Sequence, residues 1–527
     1  MLVSRKSVWG HTGRVLALTF GVTLAACGDE GNGEPVTLSG KVTYDFVPAT
    51  YSVTTRSGTL GFAQASAKPV RNAEVQVRQG SKVVGTGMTD AQGNYTLTFT
   101  PEGDDDLTLV ALAKSTNPTI QVEDNTDGDS IWAVGAEISD TTTSKDLHAG
   151  HGWTGSGYNT NRRTAAPFAI LDSMYTAAQA FMAARTVDFP ALKVNWSPNN
   201  VPQGGTKALG QIGTSHFSFT ENEIYILGKD GVDTDEFDTH VIVHEWGHYF
   251  EGNLSRSDSP GGPHSSGEVL DPRLAFGEGY GNALAAIILP ESMYTDTLWV
   301  GTRGLTAFGF DAETAPVPTD DTKPGVFSES SVMRILYDLY DSGTNEAAYD
   351  NVSFNIGTIY DVLVGPQKST EALTTIGSFI AGLKAQPGVN ASAVDALLAH
   401  YQVGSVTSAF GDGDAGLRAM YTNVTGYPFS TTVTLRGGED SNKQQQNRYF
   451  VFAGTGRTMR IAAAHPSQDV GIAAYALGEE AGSKDEGLQG EEVFTFSSRS
   501  DAKYVLVLTG FSETNADYNV SLSITSQ

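Results

Sequence analysis

The chain of 527 residues holds a single cysteine, Cys27, so an intrachain disulfide framework is excluded in any compartment. Basic residues are scarce: Lys and Arg together number 33 against 60 Asp and Glu, a formal net charge of −27. So acidic a chain cannot neutralise a run of phosphates, which excludes DNA or RNA as a partner. Membrane-spanning length is also missing, because the apolar stretch at 15–27 (VLALTFGVTLAAC) is too short to cross a bilayer comfortably. With 39% hydrophobic residues and 59 glycines, the composition is that of a turn-rich globular protein. A chain of this length fits about three or four domains.

What is present starts with export chemistry. Residues 1–14 contain Arg5, Lys6 and Arg14 and no acid, and the apolar stretch that follows ends in Leu24-Ala25-Ala26-Cys27. A basic start, a short apolar run and small residues before a break form an export signal. The Leu-Ala-Ala-Cys tail resembles a bacterial lipobox. The resemblance implies a signal peptide at 1–26 and a lipidated Cys27 as the first mature residue. It also implies a body held at the bacterial cell envelope through a lipid anchor only, on the periplasmic or outer-surface side. Residues 27–35, with the polar run GDEGNGEP, read as a tether.

Period-two alternation begins at Val36 (VTLSGKVTYDF) and continues through AEVQVRQGSKVVGTGMTDAQGNYTLTF and LTLVALAKS. Apolar alternation broken by Gly, Asn and Asp turns predicts an antiparallel β-sandwich over 36–116. The phrase GMTDAQGNYTLTF, a turn with Asp-x-x-Gly leading into a strand, resembles the transthyretin-like or carboxypeptidase-regulatory-like sandwich. Acidic loops follow at 102–106 and 123–129. The second offers Asp124, Asn125, Asp127 and Asp129 to calcium, but Val134 stands where a terminal bidentate Glu would be needed, and the loop reads as a solvated turn. His148 and His151 lie among Gly and Thr and read as loop residues. From about residue 165 the period becomes helical: APFAILDSMYTAAQAFMAAR, DTDEFDTHVIVHEWGHYF, SSVMRILYDLYDS, STEALTTIGSFIAGLKAQ and SAVDALLAHY. Strands are expected between the first two, in ALKVNWS and SHFSFTENEIYILG. From 428 evenly spaced strands return to the end at 527, predicting a second β-sandwich. Its pattern is similar to the bacterial pre-peptidase C-terminal domain.

The strongest chemical signal is HVIVHEWGHYF at 240–250. His244 and His248 stand four apart on a helix, about 40° apart in azimuth, so both imidazoles can grip one metal ion. Glu245 points about 100° from His244, beside the metal and not on it. In a chain of this composition the pattern arises by chance only about 0.02 times, so it is a signal. Zinc suits two imidazoles and a carboxylate while keeping a position for water, with Glu245 as general base. The third ligand is open between Glu278, thirty residues beyond His248, and His264, Glu268, Asp271 or His240. A ligand on a helix is better preorganised than one on the Gly/Ser/Pro-rich connection, which favours Glu278. Asn282, one turn further on, falls on the same helix face and can orient a metal-bound imidazole. His240 reads as a satisfied histidine on the motif helix.

Glu251 and Leu254 occupy the positions where a metzincin carries Gly and its third His, which excludes that class. The span NLSRSDSPGGPHSSGEVLDPRLAFGEGYGNALA resembles the gluzincin metallopeptidases, especially the fungalysin branch near thermolysin, with Asn282 in place of the family's Asp. The resemblance covers roughly residues 200–290. It implies a zincin-like α+β catalytic domain over 117–427, one catalytic zinc and a protein or peptide substrate. It also implies a cleft whose edge strand pairs with substrate, for which NEIYILG at 222–228 is the candidate. Tyr280, Tyr337, Tyr340 and His264 are all chemically able to stabilise an oxyanion. The competing reading is a surface-binding lipoprotein with a structural or inactive zinc site.

Overall fold

The computed structural model describes residues 33–102, 106–300, 304–313, 321, 323–341, 343, 346–411, 420–438, 440–487, 490–512 and 515–527. Cys27, with the expected signal peptide and lipid attachment, lies outside the described residues. The protein is β-rich with several sheets and a helical layer.

The alternation at the start forms the strand Val36–Phe46, which buries Leu38, Val42 and Tyr44. The Asp-x-x-Gly turn forms as its residues dictate. Asp90 Oδ1 accepts from the backbone N–H groups of Gln92 (2.9 Å) and Asn94 (2.8 Å), and Gly93 takes φ +81°, a conformation costly for residues with a Cβ. This turn delivers the strand Asn94–Phe99, antiparallel to Val36–Lys41.

A nine-stranded sheet runs in the order His216–Ser218, Glu223–Ile226, Leu192–Trp196, Thr119–Asp124, Leu107–Thr116, Ala73–Gln79 and Lys82–Met88, with Ser130–Ile131 and Ala133–Ile138 paired beside it. The expected division at 116/117 therefore falls inside a hairpin in which Thr116 faces Thr119. Leu192–Trp196 then adds in parallel to Thr119–Asp124. One apolar core extends from Leu38 to Val406, so the N-terminal strands and the helical region do not part there. Of the two histidines expected in a loop, His151 lies outside any helix or strand, whereas His148 lies on the short strand Leu147–Ala149, parallel to Val36–Phe46, with its ring on Thr43 and Asp45.

Helix α1 (Ala166–Ala184) has Pro167 in its first turn, where the missing N–H costs nothing. Its Phe181 stacks on Phe250 (4.7 Å between centroids) and Trp246 (5.6 Å) of helix α2 (Thr239–Asn253). Asp172 of α1 accepts from Arg71 Nε (2.5 Å) and Tyr44 OH (2.8 Å), tying the N-terminal strands to the helices. Helix α3 (Pro272–Ile288) packs across α2, and α4 (Glu329–Asp338) packs on α3. Helices α5 (Ile356–Val362), α6 (Ile376–Lys384) and α7 (Ala391–His400) complete the layer. In α4 Val332, Ile335 and Leu336 are buried at the helical period, but Ser331, Met333, Arg334 and Asp338 are buried too, so burial is not confined to one stripe.

The C-terminal strands form a five-stranded and a four-stranded sheet around a core of their own that includes Leu435, Ile461, Leu506 and Ile524. This unit starts before residue 428, because Tyr421–Val424 pairs in parallel with Asn447–Ala453. Among the described residues no helix is long and apolar enough to cross a membrane.

Candidate metal centre

Helix α2 is buried on nearly every side, which fixes its rotation and hence the direction of both motif histidines. Against it lies α3, and the fit depends on glycine. A Cβ on Gly281 would come within 2.8 Å of the His244 ring, and one on Gly279 within 2.7 Å of Val332 on α4. The Gly-Glu-Gly-Tyr-Gly run therefore lets α3 approach both neighbours at once. Helix α3 begins at Pro272, capped by Asp271 accepting from Arg273 N, so Glu278 sits in its second turn.

His244, His248 and Glu278 meet at one point. Their Nε2, Nε2 and Oε2 atoms are separated by 3.0 Å (His248–His244), 3.2 Å (His244–Glu278) and 3.5 Å (His248–Glu278). Tetrahedral zinc with bonds of about 2.0–2.1 Å requires ligand atoms about 3.3 Å apart. The residues present fit that ion in both donor chemistry and spacing. Asn282 Oδ1 lies 2.8 Å from His244 Nδ1 and holds the other side of that ring. Asn282 is held in turn, donating from Nδ2 to Glu329 Oε1 at 2.8 Å. Behind His248, Glu251 Oε2 stands 3.7 Å from Nδ1. Burial works against protonating His248, but Glu278 and Glu251 outweigh it and hold the imidazole well above its usual range. Burial likewise opposes the charge on Glu278, yet His248, His244 and His264 pull that carboxyl well below the usual carboxylate range.

Glu245 is not among the converging atoms. Its Oε2 accepts from Phe217 N at 2.8 Å, and the side chain lines the groove beside His248 and Glu278. Phe217 belongs to His216–Ser218, the edge of the nine-stranded sheet; Glu223–Ile226 lies one strand inside it, paired on both sides. The expected edge strand at 222–228 is thus corrected to 216–218.

The remaining candidates separate cleanly. His240 is buried and turned to the carbonyl of Glu291 (3.0 Å). Asp271 caps α3 and accepts from Tyr449 OH; Glu268 pairs with Lys443. His264 approaches Glu278 Oε2 (3.3 Å) through Nε2 and Glu329 (2.9 Å) through Nδ1. Burial opposes its charge, but Glu329 and Glu278 push its pKa up to about 9. Of Tyr280, Tyr337, Tyr340 and His264, only His264 lines the groove. At the acidic turn, Asp124 accepts from Thr126 N and Oγ1, and Asn125 is committed to Asn200 and the carbonyl of Lys207. Glu329 escapes a reading of the sequence because it has no fixed spacing from the motif. Glu251 offers one signal, an acid one turn beyond the second histidine on an otherwise apolar helix.

No family model matches this chain, and no curated protein matches it. Among solved structures it is similar to a pre-peptidase C-terminal domain of a collagenase from Bacillus anthracis, at 14% identity over 20% of this chain and 94% of that one, with a TM-score of 0.17. It is also similar to PliG of Aeromonas hydrophila, a periplasmic inhibitor of g-type lysozyme, at 16% identity over 20% of this chain and 96% of that one, with a TM-score of 0.16.

Proposed function

We propose that this chain is an exported, lipid-anchored zinc metallopeptidase of the gluzincin type, with Cys27 as the lipidated residue. The observation that carries the reading is the convergence of His244, His248 and Glu278 with Glu245 at their side and not among them, in a groove bounded by a sheet edge. When bound, zinc would supply a Lewis acid that polarises the scissile carbonyl and acidifies water. The chain's own residues do the rest. The outer edge of His216–Ser218, whose Phe217 N–H is held by Glu245, offers an extended peptide its remaining backbone groups and sets its register. Glu245, steadied by Phe217 N–H, accepts a proton from the attacking water as the new C–O bond forms. It returns that proton to the departing amine nitrogen as the C–N bond breaks. His264, fixed by Glu329, stands on the groove wall and donates to the developing oxyanion. A structural metal site has no use for a base in that position.

Glu245→Gln provides the test. It keeps the ligand set and the acceptor for Phe217 N–H, so zinc content measured by atomic absorption stays at the parental level. Hydrolysis of a denatured protein falls by about 10²–10⁴-fold. A variant with normal zinc and parental hydrolysis rules out this role for Glu245. Zinc in both proteins and hydrolysis in neither leaves a binding protein.

A further inference from the structure

One end of the groove carries a second cluster that the hydrolytic chemistry does not use. Asp233, Asp235 and Asp296 each place a carboxylate oxygen within 4.8 Å of the others. The backbone explains the convergence. Asp233 pairs opposite Leu298 on the strand Met293–Val300, so Asp296, two residues from Leu298, shares its face. Asp235 is only 4% exposed; Ser215 Oγ donates to one of its oxygens, while its Oδ1 and that of Asp233 are buried with no hydrogen-bond partner. Neighbouring acids are otherwise engaged: Glu236 pairs with Arg163, and Asp238 Oδ2 accepts from Thr297 N and Oγ1, both at 2.8 Å. Among the described residues lining this part of the groove there is no lysine or arginine.

The space in front of the cluster has its own shape. It is a groove of about 510 Å³ that also contains His244, Glu245 and Glu278, so whatever enters it lies against the candidate metal centre. One part of its wall is apolar, while Thr214, Ser265, Ser266, Asn282 and Ser330 line the rest. Tyr294 stacks on Phe310 (4.6 Å) across the hairpin of Met293–Val300 and Gly304–Asp311, and Leu227 and Val241 also line the space. Phe308, opposite Asp296, is 48% exposed beside the groove. An apolar part of the wall leading to three carboxylates matches a long aliphatic stem ending in a cation. A calcium ion wants six to eight oxygens, which three aspartates reach only if every carboxylate binds through both oxygens, and one oxygen of Asp235 already accepts from Ser215.

We infer that Asp233, Asp235 and Asp296 form a specificity subsite for an arginine or lysine side chain of the peptide substrate, an inference that rests on the peptidase reading. The guanidinium or ammonium meets the three carboxylates, and the methylene stem lies against Tyr294, Phe310, Leu227 and Val241.

Two measurements on the zinc-loaded full chain test it. The first is a thermal shift with agmatine, with norleucine amide as the apolar control and with calcium, with and without EGTA. Agmatine is expected to raise the melting temperature of the parent, and Asp235→Asn and Asp296→Asn to remove that rise. Stabilisation by calcium and reversal by EGTA, with no effect of agmatine, would replace the side-chain site by a metal site and overturn the inference. No effect of either also overturns it. The second is cleavage of a peptide library varied on both sides of the cut. Peptides with Arg or Lys at one position adjacent to the cut are expected to exceed Leu peptides in kcat/KM by at least about 30-fold, the scale of a desolvated charge pair, and Asp296→Asn to bring them within about threefold. Cleavage without that preference sinks the subsite and leaves the peptidase. Agmatine binding that depends on the aspartates, in a protein that cleaves nothing, sinks the peptidase and leaves the cation site.

Discussion

Gly281 and Asn282 sit side by side on α3 and do different work at the same imidazole. Gly281 makes room, because a methyl group there would come within 2.8 Å of the His244 ring. Asn282 fixes the ring by its 2.8 Å contact with Nδ1. Removing such an orienting partner costs about 10–100-fold in metal affinity. Asn282→Ala is therefore expected to bind zinc about 10–100-fold more weakly in competition with a chromogenic chelator, and Asn282→Asp to restore most of the loss. An Asn282→Ala variant with parental affinity would mean that the Asn282 contact does not orient the ring. Gly281→Ala should lose zinc as well, through displacement of the ring. At this scale much was legible in advance. The His-Glu-x-x-His spacing needs only the helical period, and Glu278 and Asn282 follow from a one-turn offset on a second helix. Glu329 was not legible, because its role comes from helix packing that no spacing in the chain encodes, whereas Glu251 stands one turn beyond His248 on the same helix. Asp233 and Asp235 fall in a segment that the period marks as helical, yet Asp233 lies on a short strand, α2 starts only at Thr239, and Asp238 is turned to Thr297.

Among the elements, α4 and α7 show how burial ties stability to pH. Asp338, at the end of α4, is 1% exposed and accepts from Tyr401 OH, just beyond α7, at 2.9 Å. Burial pushes its pKa up to about 8, against the pull of the Tyr401 hydrogen bond, with Glu346, Asp350 and Asp341 adding to the rise. An unfolded Asp titrates near 3.9. The folded state thus holds the proton more tightly, and this contribution to stability is fully present below about pH 4 and lost as pH climbs towards about 8. Asp338→Asn keeps the shape and acceptor without the charge. Its melting temperature relative to the parent should rise steadily between pH 5 and pH 8, which a pair of melting series would show. A constant difference across that range would mean Asp338 does not titrate there. Helices and strands were readable as elements because period and turn chemistry are local. The sheet edge was not, since Glu223–Ile226 and His216–Ser218 carry similar patterns and only pairing decides which lies outside.

At the scale of the molecule, the composition shifts that suggested three separable units marked changes of secondary structure, and only one of them marks a change of core. The hairpin at 116–119 carries the sheet straight from the N-terminal strands into the helical region, so a fragment covering 117–427 would expose the unpaired edge of Thr119–Asp124 and is expected to be insoluble. The C-terminal sandwich has its own core, but it also grips the connection that carries His264. Asn442 Nδ2 donates to the carbonyls of Gly261 (3.0 Å) and Pro263 (2.9 Å), Asp271 N donates to the Asn442 carbonyl (2.7 Å), and Lys443 Nζ donates to Pro263 O (2.9 Å) and Glu268 (3.0 Å). The wall of the groove is therefore held from outside the helical layer, while the candidate metal ligands ride on α2 and α3. These two supports should come apart under mutation. Asn442→Ala removes two hydrogen bonds worth about 0.5–1.5 kcal/mol each, enough to loosen residues 259–264 without unfolding either core. The expected result is faster amide exchange across that connection and a peptide kcat/KM lowered about 5- to 160-fold, the rate equivalent of that loss. Zinc content and the unfolding of the sandwich should stay as in the parent. Parental exchange and parental kcat/KM in Asn442→Ala would reduce the sandwich to an appendage, and loss of zinc would mean that the two supports are one.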